Sequence, residues 1–178
     1  RIEYIAFEKV GKMLTWTFLF KPQHSKMSQK TFNPIKRFPH LKNVPREHAQ
    51  NMQSLIKYSE SLFLQSESWK NVQNIQSKEK KVEFSEIYGN LFDSKSDAIG
   101  HCVSVDLRMG KGIAVEFVNR YGYENLEEQN PRVGRTIRLE RQNEQNRVIF
   151  YMITKEKYWN IPSYEGLWKS LLDMRMSQ

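Results

Sequence analysis

Beyond residue 80 the apolar positions recur with the periods of regular structure. Val82, Phe84, Ile87 and Tyr88 alternate with polar residues, with a one-residue slip, as a strand does. Gly89-Asn90-Leu91-Phe92-Asp93 breaks that strand. Ala98 to Val103 is a short, nearly continuous small-and-apolar run of the kind buried on both faces of a parallel sheet, and it ends at polar Ser104. After Arg108-Met109-Gly110-Lys111-Gly112, the residues Ile113, Ala114, Phe117, Val118 and Tyr121 share one helical face that Gly122 closes. Strand, glycine-rich turn and helix make a βα unit. Thr136–Leu139 and Arg147–Thr154 predict two strands joined as a hairpin through Glu140–Asn146. Ser163 then supplies an N-cap to a helix with Tyr164, Leu167, Trp168, Leu171 and Leu172 on one stripe. Mixed strands and helices around a glycine-rich turn imply a three-layer α/β domain, whose ligands bind beyond the C-terminal ends of the strands.

The first 80 residues carry a weaker pattern. Pro22, Pro34, Pro39 and Pro45 each remove a backbone donor and discourage helix before them, so that stretch is expected to be extended or without order. Met52, Leu55, Ile56, Leu62 and Phe63 predict a short amphipathic helix within 48–64. Ser66–Lys80 is rich in Ser, Gln, Asn and Lys and reads as a linker. Met27-Ser28-Gln29-Lys30 resembles a translation start, which would leave residues 1–26 outside the functional chain. The division is therefore a largely disordered extension over 1–80 and a folded region over 81–178.

Charge sharpens that division. The net charge of +8 lies entirely in residues 1–80, with 14 Lys/Arg against 6 Asp/Glu, whereas residues 81–178 hold 14 of each. A basic arm can tether nucleic acid by displacing counterions, or can be a solvated tail without a partner. Scattered basic residues, in runs of no more than two, favour the tail. Met13–Phe20, the longest apolar-rich stretch, is too short to cross a bilayer, so no membrane association is expected. The single cysteine, Cys102, cannot close an intramolecular disulfide, so a reducing compartment is expected. Inside its apolar strand it reads as a buried hydrophobe. The four scattered histidines give His101 no spaced partner for zinc, so no metal is expected.

Five ordered pieces carry a resemblance to a known family: Tyr88–Phe92, His101–Ser104, Asp106–Ala114, Tyr151–Lys155 and Pro162–Glu165. In order and spacing they resemble macro domains, and among these the terminal ADP-ribose protein glycohydrolases. The resemblance implies a three-layer α/β/α fold with a mixed sheet and an ADP-ribose ligand, with no cofactor. It covers 82–178 and stops short of the family's second glycine-rich loop and its aspartate, so a fold incomplete at the C-terminus is expected. Gly110 and Gly112 lack the Cβ that would keep a diphosphate from the backbone, and the following helix offers its positive end. Met109 and Ile113 flank them within the same motif. The resemblance implies that Asn90 and Leu91 take the adenine, with Asn90 standing where the family usually has Asp. Ser104 is expected either to contact the ligand or to cap its turn. Lys155, at the end of the apolar 148–153 run, is implied to be the nucleophile that attacks the distal ribose and releases glutamate or aspartate. The alternatives are an ADP-ribose reader without catalysis, an inactive fragment, and nucleic-acid binding through the arm, which could equally hold an ADP-ribosylated polyanion. A monomer in the nucleus or cytoplasm completes the expectation.

Overall fold

The computed structural model describes residues 4–10, 13–19, 36, 38–41, 43–75, 83–86, 89–140 and 147–176. Its strands are β1 (Tyr4–Val10), β2 (Met13–Leu19), β3 (Glu83–Glu86), β4 (Ala98–Ser104), β5 (Thr136–Glu140) and β6 (Val148–Lys155). The helices are α1 (Met52–Leu64), α2 (Glu67–Ile75), α3 (Ile113–Tyr121) and α4 (Tyr164–Met176). All six strands join one mixed sheet in the order β3-β2-β1-β4-β6-β5.

The centre of that sheet forms as the sequence pattern requires. β6 is buried from Ile149 to Thr154, and it pairs with β4 in parallel and with β5 antiparallel. Because side chains alternate along a strand, the run serves both faces of the sheet. Ile149, Tyr151 and Ile153 join Ile99 and Val103 of β4 against Phe117 and Tyr121 of α3. Phe150 and Met152 join Met174 of α4 on the opposite face, with Leu171 and Cys102 packed alongside. Gly100 is small for a reason: a Cβ there would lie 3.1 Å from the Phe150 carbonyl oxygen. The α/β layering expected over this region is present.

The expectation for residues 1–80 is corrected in two places. β1 and β2 form an antiparallel hairpin, and β1 pairs with β4 in the register Tyr4↔His101 to Phe7↔Ala98. The sheet therefore does not begin at residue 81. Both segments are rich in aromatic, β-branched and other apolar residues on either side of Gly11-Lys12, a composition that suits strands and hairpins. The stretch expected to be a linker contains α2, whose Ser68 and Trp69 side chains reach α4. The expected helix is present as α1, and it starts where Asn51 Oδ1 accepts the Ser54 N–H at 2.9 Å. The proline-rich residues 20–35 and the proposed start at Met27 lie outside the described residues.

α1 and α2 pack on the outer side of α4. Phe63 stacks on Tyr164 at 6.0 Å, Trp69 meets Trp168 edge-on at 6.2 Å, and Ser68 Oγ donates to Glu165 Oε1 at 2.7 Å. A small cluster of Phe38, Leu41 and Leu55 anchors the preceding loop against Ile161.

Candidate functional site

A cavity of about 440 Å³ opens beyond the C-terminal ends of β4 and β6. Volumes of this size suit small-molecule ligands. The pairing register of β4 and β6 shifts there between Val103 and Ser104, which places Ser104 opposite Lys155. The Val105 N–H still donates to the Lys155 carbonyl at 2.9 Å, which holds the two strand ends together.

From Ser104 the chain turns sharply into the glycine-rich loop. Leu107 adopts φ 44, a left-handed conformation rare for leucine, and its N–H donates to the Ser104 carbonyl at 2.9 Å. Such a residue costs on the order of 1–3 kcal/mol, offset here by burying the Leu107 side chain in the core. Gly112 takes φ 65 and ψ −145, a region essentially closed to other residues, and it is the N-cap of α3. A Cβ at Gly110 or Gly112 would meet nothing within 4 Å, so these glycines keep the approach to the backbone open rather than relieve crowding. In the first turn of α3 the Val115 N–H donates to the Gly112 carbonyl at 3.3 Å, and an anion in the cavity would meet the N–H groups that precede it at the positive end of the helix.

Ser104, Met109, Gly110, Gly112, Ile113 and Lys155 all line this cavity. Met109 and Ile113 form its apolar wall and rest against the α3-side core. The Ser104 hydroxyl donates to Asp106 Oδ1 at 2.5 Å, so its proton is held within the turn. Lys155 is half-buried, and its Nζ donates to the Tyr158 carbonyl at 3.2 Å.

Asn90 and Leu91 are not among the residues that line this cavity. Asn90 is exposed and caps the 3-10 turn Leu91–Asp93: its Oδ1 accepts the Phe92 N–H at 3.3 Å and its Nδ2 donates to Asp93 Oδ1 at 3.2 Å. Leu91 is 1% exposed within the α3-side core. Asparagine favours this role because its side chain mimics a turn of backbone, and that turn directs Leu91 inward.

Three further residues at the cavity were not singled out from sequence. Arg108 and Lys111 belong to the glycine-rich loop and bring its cationic side chains, with Lys155, to three. Their positions beside Gly110 were a usable signal. Tyr158 comes from the loop after β6, with the Arg108 guanidinium 4.7 Å from its ring centroid. Nothing in the local pattern distinguished it from any exposed tyrosine.

Cys102 also lines the cavity and is half-buried rather than fully enclosed. His101 reaches the lining from inside the core. It is 1% exposed and stacked on Phe117 at 3.9 Å, and burial pushes its pKa down to about 3, so the ring is neutral. Among the described residues, no group of three or more His, Cys, Asp and Glu is placed to hold a metal. No described helix is long and apolar enough to cross a membrane.

No protein-family model matches the chain. Curated proteins do. The chain is 41% identical over 91 residues to the ADP-ribose glycohydrolase OARD1 of Homo sapiens and 40% identical over 91 residues to that of Bos taurus. Each match covers 50% of this chain and 58% of the relative. The macro-domain resemblance holds. The chain spans little more than half the length of these relatives. Among solved structures, the macrodomain of Mycobacterium tuberculosis DarG matches with a TM-score of 0.46 at 20% identity, covering 50% of this chain and 63% of that one. The macrodomain of Thermus aquaticus DarG matches with a TM-score of 0.45 at 25% identity, covering 50% and 64%.

Proposed function

We propose that this macro-domain segment binds ADP-ribose in the cavity beyond β4 and β6, and that the protein removes mono-ADP-ribose from glutamate and aspartate esters. The observation that carries the reading is the meeting of two groups on one cavity: the open glycine-rich loop at the start of α3, and the Lys155 amine at the end of β6. The diphosphate lies against the backbone N–H groups of the loop, with Arg108 and Lys111 beside it. Lys155 faces the distal ribose.

The free amine of Lys155 attacks the anomeric carbon; the N–C bond forms as the ester C–O bond breaks, and the carboxylate leaves with the bonding pair. The ring C–O bond of the resulting ammonium adduct then opens, and one proton passes from nitrogen to the ring oxygen. Water hydrolyses the remaining iminium, regenerating the lysine and releasing ADP-ribose. The test is hydrolysis of a mono-ADP-ribosylated protein by the 178-residue chain and by its Lys155→Ala variant. Hydrolysis that stops in the variant, with ADP-ribose binding retained, is the expected result; equal turnover would sink the mechanism.

One observation favours a second reading, a reader that binds without hydrolysis. Among the described residues, those lining the cavity include no carboxylate that could move a proton during turnover; Asp106, between the lining residues Ser104 and Arg108, is engaged by Ser104 and by the Tyr158 N–H. Calorimetric binding of ADP-ribose with no ester hydrolysis by the unmodified chain would select this reading.

A further inference from the structure

The N-terminal segment meets the loop behind the cavity through Lys36 over the Trp159 ring, through Ile161 on the Phe38 cluster, and through the buried side chain of Asn160. Asn160 is 5% exposed and makes three hydrogen bonds. Its Oδ1 accepts the Lys157 N–H at 3.0 Å, its own N–H donates to the Lys157 carbonyl at 2.9 Å, and its Nδ2 donates to the Lys36 carbonyl at 2.9 Å. The first two bonds close the turn 157–160. The third ties that turn to a residue 124 positions earlier in the chain, beside the Phe38, Leu41 and Leu55 cluster on which the next residue, Ile161, packs. Within the same turn the Tyr158 carbonyl accepts from Lys155 Nζ at 3.2 Å, and the Tyr158 N–H donates to Asp106 Oδ2 at 3.4 Å.

We propose that Asn160 is a positioning residue, which uses the Lys36 carbonyl as an anchor to hold the Tyr158 carbonyl, and through it the Lys155 amine, toward the cavity. The proposal rests on the reading of Lys155 as the reacting amine. An amine that donates one N–H to a fixed carbonyl has its remaining bonds and its lone pair confined in direction, whereas a mobile carbonyl leaves the long side chain to sample many rotamers. An amide suits Asn160 because it places an acceptor and a donor on one planar group. Aspartate would keep the acceptor for the Lys157 N–H and lose the donor to Lys36.

The experiment is competitive labelling of the full chain with trace acetic anhydride across pH, with the acetylation of Lys155 read against that of Lys169 on α4 by mass spectrometry. It needs no ADP-ribose. In Asn160→Asp and Asn160→Ala alike, the Lys155 to Lys169 ratio changes by roughly fivefold, as expected for the loss of one hydrogen bond, or the pH midpoint of Lys155 labelling moves. Ester hydrolysis by the same variants loses kcat with KM unchanged. Labelling of Lys155 that matches the unaltered chain in a folded variant overturns the proposal. So does a change in Asn160→Ala that is absent in Asn160→Asp, because it would place the effect in the local turn and not in the tie to Lys36. Failure of both variants to fold overturns it as well, since the residue would then serve the whole fold. A shift in labelling combined with full hydrolysis by Lys155→Ala would instead reject the proposed reaction while leaving the tie in place.

Discussion

The sheet around β4 and β6 and the helical region around α1 and α2 both bury aromatic and aliphatic side chains, but to different depths. β6 is enclosed on two faces, so every residue from Ile149 to Thr154 is buried, and a continuous cluster of twelve residues extends from it to α3. α1 has one buried stripe centred on Leu55 and leaves Ile56, Leu62 and Leu64 at 37%, 42% and 48% exposure. A strand at the middle of a sheet gains burial from both neighbouring layers, whereas a helix on an outer layer gains it from one. The first region should therefore carry the stability of the site. The second trims the position of the loop it touches.

The sharpest way to break this comparison is to truncate the centre of each region. Phe117→Ala, at a residue with no exposed surface that stacks on His101, should cost on the order of 3–5 kcal/mol and lower the unfolding midpoint in denaturant for the whole chain. Leu55→Ala removes an equally enclosed side chain and should cost about 2–5 kcal/mol, but hydrogen exchange should show protection lost over α1 and α2 while β4 and β6 keep theirs. Equal loss of protection in the sheet would show that the two regions form one cooperative unit.

A smaller effect separates the regions by pH. Burial lowers the His101 pKa from 6.5 to about 3, so between these values the unfolded chain binds a proton that the folded chain refuses. Its contribution is complete above pH 6.5 and is lost as pH falls toward 3, with a slope that approaches about 1.4 kcal/mol per pH unit. His40, beside the α1 cluster, is lowered by burial in the same direction. Denaturant titrations at several pH values should show a flatter acid limb in His101→Phe, and less flattening in His40→Gln. Reversal of that order would mean that the outer layer is the better enclosed.

The smallest effect tests whether α1 depends on its own cap. Asn51→Ala deletes the bond to the Ser54 N–H and should cost about 1 kcal/mol, visible as a lower midpoint in thermal unfolding. No change would mean that packing of Met52 and Leu55 on the Phe38 cluster holds the start of α1 without the cap.

Much of the central fold was legible because its signals are local. The apolar run of β6, the glycine-rich turn into α3 and Ser163 each act within a few residues; the Ser163 hydroxyl accepts the Gly166 N–H at 2.9 Å, as an N-cap should. β1 and β2 carried a strand composition too, but the prolines and basic residues that follow drew the whole stretch into a single expectation of disorder. The cavity residues were legible where they belong to one contiguous loop. Asn90 and Leu91 are expected at the adenine through the resemblance alone, and the structure places Asn90 as the cap of the 3-10 turn with Leu91 buried behind it.

The sequence by itself determined which segments become strands and helices and where the backbone must bend, since hydrophobic period, caps and glycine conformations are properties of neighbours along the chain. Only the tertiary structure decided that a strand beginning at Tyr4 lies beside His101, and that Asn160 closes on the carbonyl of Lys36. Partners so distant in sequence are selected by whichever pairing buries the most apolar surface and leaves the fewest polar groups unsatisfied, a choice made by the whole molecule at once.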